Sequence, residues 1–185
     1  PKNGYYESNI AMENHALDAV RTGADIVIMN PSLVLGPGDR HLSTGDIVVS
    51  IAKGLGVAVP PGIINIIDVR DVAVAQVKGA TQGRSGERYI LGGENYPVKE
   101  AASIIARAAG VRPPRGTLPN SLVDLYIKLA DTLPFIPYPQ DHLRGYRSWQ
   151  GYNTHKAQRE LDLDPRPLEE TARDSIAWFK QQGYL

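Results

Sequence analysis

Apolar positions along this chain switch between helical spacing and nearly continuous runs. From Tyr5 to Thr22 they are sparse, at Ile10, Met12, Leu17 and Val20, and the stretch stops at Gly23, which predicts a helix ended by glycine. Asp25 to Leu35 is then almost entirely apolar and β-branched, the pattern of a strand buried on both faces of a parallel sheet. A polar loop runs from Gly36 to Gly45, where Ser43 or Thr44 is placed to cap a helix over about 46–55. Val57 to Val59 reads as a short strand and Pro60-Pro61-Gly62 as a turn. Ile63 to Val69 reads as another apolar strand, entering a helix that starts at Arg70-Asp71 and carries Val72, Val74, Ala75 and Val77.

The second half repeats the alternation. Arg88 to Gly93 predicts a strand after a loop at 83–87, and Val98 to Ala109 an amphipathic helix stopped at Gly110. The proline-rich stretch 112–119 is a connector to a helix with Leu122, Leu125, Leu129 and Leu133 at helical spacing. Pro134, Pro137 and Pro139 then predict an irregular surface segment. Asn153 is placed to cap a helix through Leu161, and a last helix carries Ile176, Trp178 and Phe179. No internal repeat or low-complexity tract interrupts this order.

Composition narrows the classes of function. At 185 residues and 42% hydrophobic, the chain is long enough for one folded, soluble domain with a core. Twenty basic residues balance twenty acidic ones, which argues against nucleic acid or an anionic membrane surface as partner. The absence of cysteine excludes disulfides and thiolate metal sites and agrees with a cytoplasmic setting. No apolar run reaches the roughly 18 residues of a membrane span, and no signal-peptide pattern opens the sequence. No metal-ligand spacing and no Ser-His-Asp arrangement is present, so His15, His41, His142 and His155 are assigned no chemistry.

Chemistry concentrates near the start. Residues three and four apart on a helix are neighbours, so Tyr5, Ser8 and Asn9 share a face, and the helix-then-strand order is half of a crossover unit. Function sits at the C-terminal end of such a strand, here Asn30-Pro31-Ser32-Leu33. By themselves these letters leave other readings open: adjacent tyrosines at a helix start also suit packing, and a proline equally well just ends a strand. Asp68, Arg70 and Asp71 read as an N-terminal cluster on the following helix, since carboxylates favour its positive end.

Taken together, Tyr5 and Ser8, then Asn30-Pro31 followed by Gly36-Pro37-Gly38-Asp39, resemble the extended branch of the short-chain dehydrogenase/reductase superfamily, where a YxxSK helix precedes an (R/N)PxxxxGPGD strand. Asp68, Val69, Asp71, Val72 and Ala73 are similar to the family's strand-to-helix junction. His155-Lys156-Ala157 and the Trp178-Phe179 pair resemble its C-terminal signature. Asn30-Pro31-Ser32 and Tyr89 to Asn95 look most like its dihydroflavonol-reductase-like and hopanoid-associated sugar epimerase subgroup. One position departs: the family's lysine is Asn9 here.

The resemblance implies an α/β fold: the C-terminal part of a doubly wound, Rossmann-type parallel sheet with a small, mostly helical substrate lobe. Residues 1–83 would end the dinucleotide-binding domain with an interleaved lobe segment, and 84–185 would be mainly the substrate-binding lobe. It implies NAD or NADP as cofactor, and hydride transfer at a C–OH/C=O carbon of a nucleotide sugar or ketone. Tyr5 would act as acid/base, Asn9 stands at the lysine position, and Pro31, Ser32 and Leu33 would lie beside the nicotinamide. Arg40, Arg144 and Arg147 are candidates for an anionic substrate group. Pairing of two copies through the first helix would give a homodimer.

No Gly-rich pyrophosphate turn appears, so the chain reads as the C-terminal part of a longer protein. The alternatives are a non-catalytic dinucleotide-binding or regulatory protein, given Asn9, and a fragment inactive alone.

Overall fold

The computed structural model describes residues 4–133, 143 and 145–185. Helix α1 (Gly4–Arg21) leads into strand β1 (Ile28–Pro31), and the chain continues through β2 (Leu33–Leu35) to α2 (Gly45–Ala52). A short β3 (Ala58–Val59) precedes β4 (Ile63–Asp68), which passes without a loop into α3 (Val69–Gln82). Then come β5 (Arg88–Leu91), β6 (Asn95–Pro97), α4 (Val98–Ala109), β7 (Gly116–Thr117) and α5 (Asn120–Thr132). A 3-10 turn (Tyr146–Ser148), α6 (His155–Glu160) and α7 (Leu168–Gln181) complete the order.

Pairing is parallel between β1 and β5, β2 and β4, and β3 and β7, and antiparallel between β4 and β6. The expected α/β class with parallel strands is therefore borne out. The apolar run 25–35 is not one strand, however. It breaks at Ser32, whose N–H still donates to the Leu91 carbonyl at 2.8 Å, after which pairing passes from β5 to β4. Pro31, without an N–H to contribute, marks the break. Pro31 is also exposed, so β1 is less deeply covered than its apolar letters predict.

Strand β4 divides the interior, because successive side chains on a strand point to opposite faces. Ile66 joins a cluster built from Leu35, Val48 and Val49 of α2, Ile104 and Ile105 of α4, and Ile176 and Phe179 of α7. Ile67 joins a second, with Val72, Ala75, Tyr89, Leu91 and Leu161. Gly110 adopts φ +74° at the end of α4, the left-handed stop that the sequence predicts.

Two helices differ from their apolar pattern. On α1, Ile10 and Met12 are 62% and 63% exposed, while the half-buried positions are Asn9, Glu13, Ala16, Leu17, Ala19 and Val20. On α5, Leu122, Leu125 and Leu129 face outward and Val123 and Ala130 are buried. Leucine count did not decide the buried face; docking of the helix did. Among the described residues no helix is long and apolar enough to cross a membrane. The expectation of an irregular segment around Pro134, Pro137 and Pro139 lies outside the described residues.

Asp68, the last residue of β4, is 1% exposed and gathers the surrounding elements. Its Oδ1 accepts from the Arg70 backbone N–H at 2.8 Å and from Arg70 Nε at 2.9 Å. Its Oδ2 accepts from Arg70 Nη2 and from Thr171 Oγ1 of α7, each at 2.8 Å. Arg70 goes on to Asp174, while Arg166 pairs with Asp71 at 2.7 Å and with Glu170 at 3.1 Å. The acid cluster read at the start of α3 is thus a true cap, extended into a tie between α3 and α7.

Burial works to raise the Asp68 carboxyl, but the hydrogen bonds from Arg70 and Thr171 outweigh it and hold the group below the usual carboxylate range. A carboxyl lowered in this way stabilises the fold above its unfolded value near ~3.9 and loses that effect as pH falls through the folded value. Urea unfolding at pH 7 should show Asp68→Ala less stable by about 2–3 kcal/mol, at the low end for a buried partner because both arginines can reach water. Between pH 5 and about 3, wild-type stability should fall more steeply than that of Asp68→Asn.

Candidate active site at the strand ends

Helix α1 returns along β1, and contacts at two heights fix how the two run. Near the bottom, a Cβ built on Gly86 would stand 3.1 Å from Val20 Cγ1, and the Gly86 N–H donates to the Ile26 carbonyl at 2.8 Å. Higher up, Asn30 Nδ2 donates to Glu13 Oε2 at 3.1 Å and Arg88 Nη1 to Glu13 Oε1 at 2.7 Å. The bond from Arg88 draws the Glu13 carboxyl below its usual range, against burial and with help from Asn30. At 1.5 Å per helical residue, Asn9 lies about 6 Å along α1 from Glu13, toward the helix start.

That end carries an unsatisfied group. Ser32 Oγ is inaccessible to solvent and has no hydrogen-bond partner among the described residues. Pro31 is exposed beside it, and Leu33 is half-buried at the start of β2. The Tyr5 side chain lies outside the described groups, as does Arg144.

One strand further on, the Gly36-Pro37-Gly38-Asp39 loop turns over the start of α2. Gly36 adopts φ +144° and lies so close to α3 that a Cβ would meet Val69 Cγ1 at 2.6 Å. Asp39 then serves as the cap of α2, in place of the expected Ser43 or Thr44. Its Oδ2 accepts from the Gly45 N–H at 2.8 Å and its Oδ1 from the Ser43 N–H at 3.2 Å, while Thr44 Oγ1 donates to the Val34 carbonyl. Burial opposes ionisation of Asp39, but the amides of Gly45 and Ser43 prevail and keep its carboxyl low. A cleft of about 380 Å³ opens here, lined by Gly36, Pro37, Asp39, Thr44, Val69 and Phe179. Asn9, Pro31 and Ser32 do not line it, so the cleft adjoins the β1 end and is separate from it.

The arginines suggested for substrate fall on separate elements. Arg40 is exposed on the loop, with its carbonyl accepting from Tyr184 Oη at 2.9 Å. Arg147 is ion-paired with Asp124 of α5, which also accepts from Tyr146 Oη at 2.9 Å. Glu13 and the capping role of Asp39 were missed from the sequence. The spacing of four between Asn9 and Glu13 was the signal available for the first.

The C-terminal end of a strand in a parallel α/β unit is where such folds bind ligands. No family model matches the chain. Among curated proteins it is 31% identical to a putative dihydroflavonol 4-reductase of Synechocystis, over 98% of this chain and 56% of that protein. It is 29% identical to sterol demethylase protein B of Methylococcus capsulatus, over 97% of this chain and 58% of that protein. A nucleoside-diphosphate-sugar epimerase from Pseudomonas aeruginosa superposes with a TM-score of 0.85 at 26% identity, over 100% of this chain and 57% of its own. These relatives support placing the chain in the extended short-chain dehydrogenase/reductase family. The chain spans little more than half the length of these curated relatives.

Gly45 tests how tightly this region is built. A Cβ there would stand 2.5 Å from Phe179 Cζ and 2.8 Å from Asp39 Oδ2. Gly45→Ala should therefore cost about 1–3 kcal/mol in chemical denaturation, through displaced Phe179 and a weakened cap. An unchanged midpoint would mean that the loop and α7 yield freely.

Proposed function

We propose that this chain is the C-terminal part of an NAD(P)-dependent oxidoreductase or nucleotide-sugar epimerase/dehydratase, acting at a C–OH/C=O carbon. The observation that carries the reading is the end of β1, where the Ser32 hydroxyl lacks a partner among the described residues and α1 is tied to the strand through Glu13 and Asn30. Residues 1–83 would then end the dinucleotide-binding domain, and 84–185 would form mainly the substrate lobe. The names of two relatives, a putative dihydroflavonol 4-reductase and a nucleoside-diphosphate-sugar epimerase, support the reading.

The residues present fit one end of such a cofactor. Ser32 Oγ can donate to or accept from a nicotinamide amide, and Asn9 can hydrogen-bond a ribose hydroxyl. Pro31 and Leu33 supply the flanking backbone. No Gly-rich turn for a pyrophosphate lies in this sequence, and on this reading it belongs to the preceding half. When bound, NAD or NADP supplies the hydride acceptor or donor.

Tyr5 would hold or take the proton at the substrate oxygen. A free phenol has a pKa near ~10, so about a thousandth is ionised at neutral pH. Asn9 adds no charge to improve that fraction, whereas a cation at position 9 would lower the phenol by about 1–3 units. In the full-length polypeptide carrying this chain, Asn9→Lys should raise turnover by about ten- to a thousandfold, and Tyr5→Phe should abolish it. Titration of NADH and NADPH by fluorescence reports binding independently.

Asn9 itself favours a second reading, a non-catalytic dinucleotide-binding or regulatory protein. Cofactor binding with no turnover in either wild type or Asn9→Lys would establish that reading. No cofactor binding at all would defeat both. The isolated 185-residue chain should be inactive, lacking the half that meets the pyrophosphate.

A further inference from the structure

We infer that Glu13 is a positioning residue that sets the height of α1 on the sheet, and with it the reach of Tyr5 and Asn9 over the end of β1. The inference rests on the proposed function for its catalytic meaning and on geometry alone for its structural one. Positions 5, 9 and 13 lie on one helix face, at intervals of four. Glu13 grips two adjacent strands, through Asn30 of β1 and Arg88 of β5.

Two features make that grip consequential. No described residue of α1 is fully buried, so apolar packing against the sheet is shallow along the whole helix. A smooth, half-buried face tolerates sliding by a turn or rotation by part of one, because many such placements bury similar area. A carboxylate with one oxygen on each of two strands does not. Asn30 and Arg88 are held by the β1–β5 ladder, in which Ile28 stands opposite Arg88 and Asn30 opposite Ile90. Moving α1 by one residue, about 1.5 Å, would break at least one of the two bonds.

Backbone hydrogen exchange by mass spectrometry on the full-length polypeptide tests this without any need for turnover. Glu13→Ala should accelerate exchange in α1 by about tenfold relative to α4, as loss of one charge-assisted hydrogen bond would. Glu13→Gln, which keeps an acceptor for Asn30 without the charge that Arg88 meets, should recover part of that protection. Arg88→Ala should loosen α1 in the same sense.

Unchanged protection of α1 in Glu13→Ala, or loosening spread evenly over α1 and α4, overturns the inference. If Glu13→Ala fails to fold, Glu13→Gln and Arg88→Ala are judged by the same ratio of α1 to α4. Where the wild type turns over, kcat should fall while the cofactor KM holds; a fall shared equally with KM would mark a general structural role and also overturn it. Absence of turnover in both the wild type and Asn9→Lys would sink the enzymatic reading, and the exchange ratio would still decide the role of Glu13.

Discussion

A carboxylate without solvent at the end of β4 sets the arrangement of most other elements. Asp68 stands where one strand becomes a helix, immediately after the two residues that face the two hydrophobic clusters. Two partially exposed arginines and a buried threonine surround it, so its charge is met from α3 and α7 at once. Burying an unpaired carboxylate would be prohibitive; Arg70 meets most of the charge, and α7 cannot leave this junction without removing the Thr171 hydrogen bond and exposing the group. The long-range tie from residue 68 to residue 171 joins chain segments that no local propensity would bring together.

The neighbouring site inherits that order. Leu35 pairs with Asp68 across β2 and β4, so the loop after β2 begins beside the most tightly held point of the fold. Gly36 is pressed against Val69, and Phe179 of α7 closes the floor under Gly45. The end of β1 is different. Beside it runs α1, a helix with apolar side chains at Ile10 and Met12 turned outward and no fully buried position among those described, tied to β1 and β5 through Glu13.

Much of this was legible in the letters. The helices over α3, α4 and α7 follow from spacing and from their stops, and Asp68 could be read with Arg70 and Asp71 as a cluster at the start of α3 because carboxylates favour a helix's positive end. The family followed from motifs at separated positions, and the relatives bear it out. Less legible was the division of the apolar run 25–35, since each of its residues suits a strand and only the change of partner from β5 to β4 breaks it. The cap of α2 was assigned to the nearest hydroxyls, yet it falls to Asp39, six residues before Gly45, because the loop folds back.

By itself, the sequence determined where most helices and strands form, where glycine and proline stop them, and that Asn9 brings no positive charge to its helix. Those properties are local: side-chain type, spacing along a helix, and the backbone limits of proline and glycine. Tertiary structure decided which apolar residues are covered, that Glu13 meets Asn30 and Arg88, and that Thr171 completes the shell of Asp68. Each of these depends on partners seventeen to more than a hundred positions away. Their pairing is selected by the packing of whole elements and by the cost of leaving a buried charge unmet.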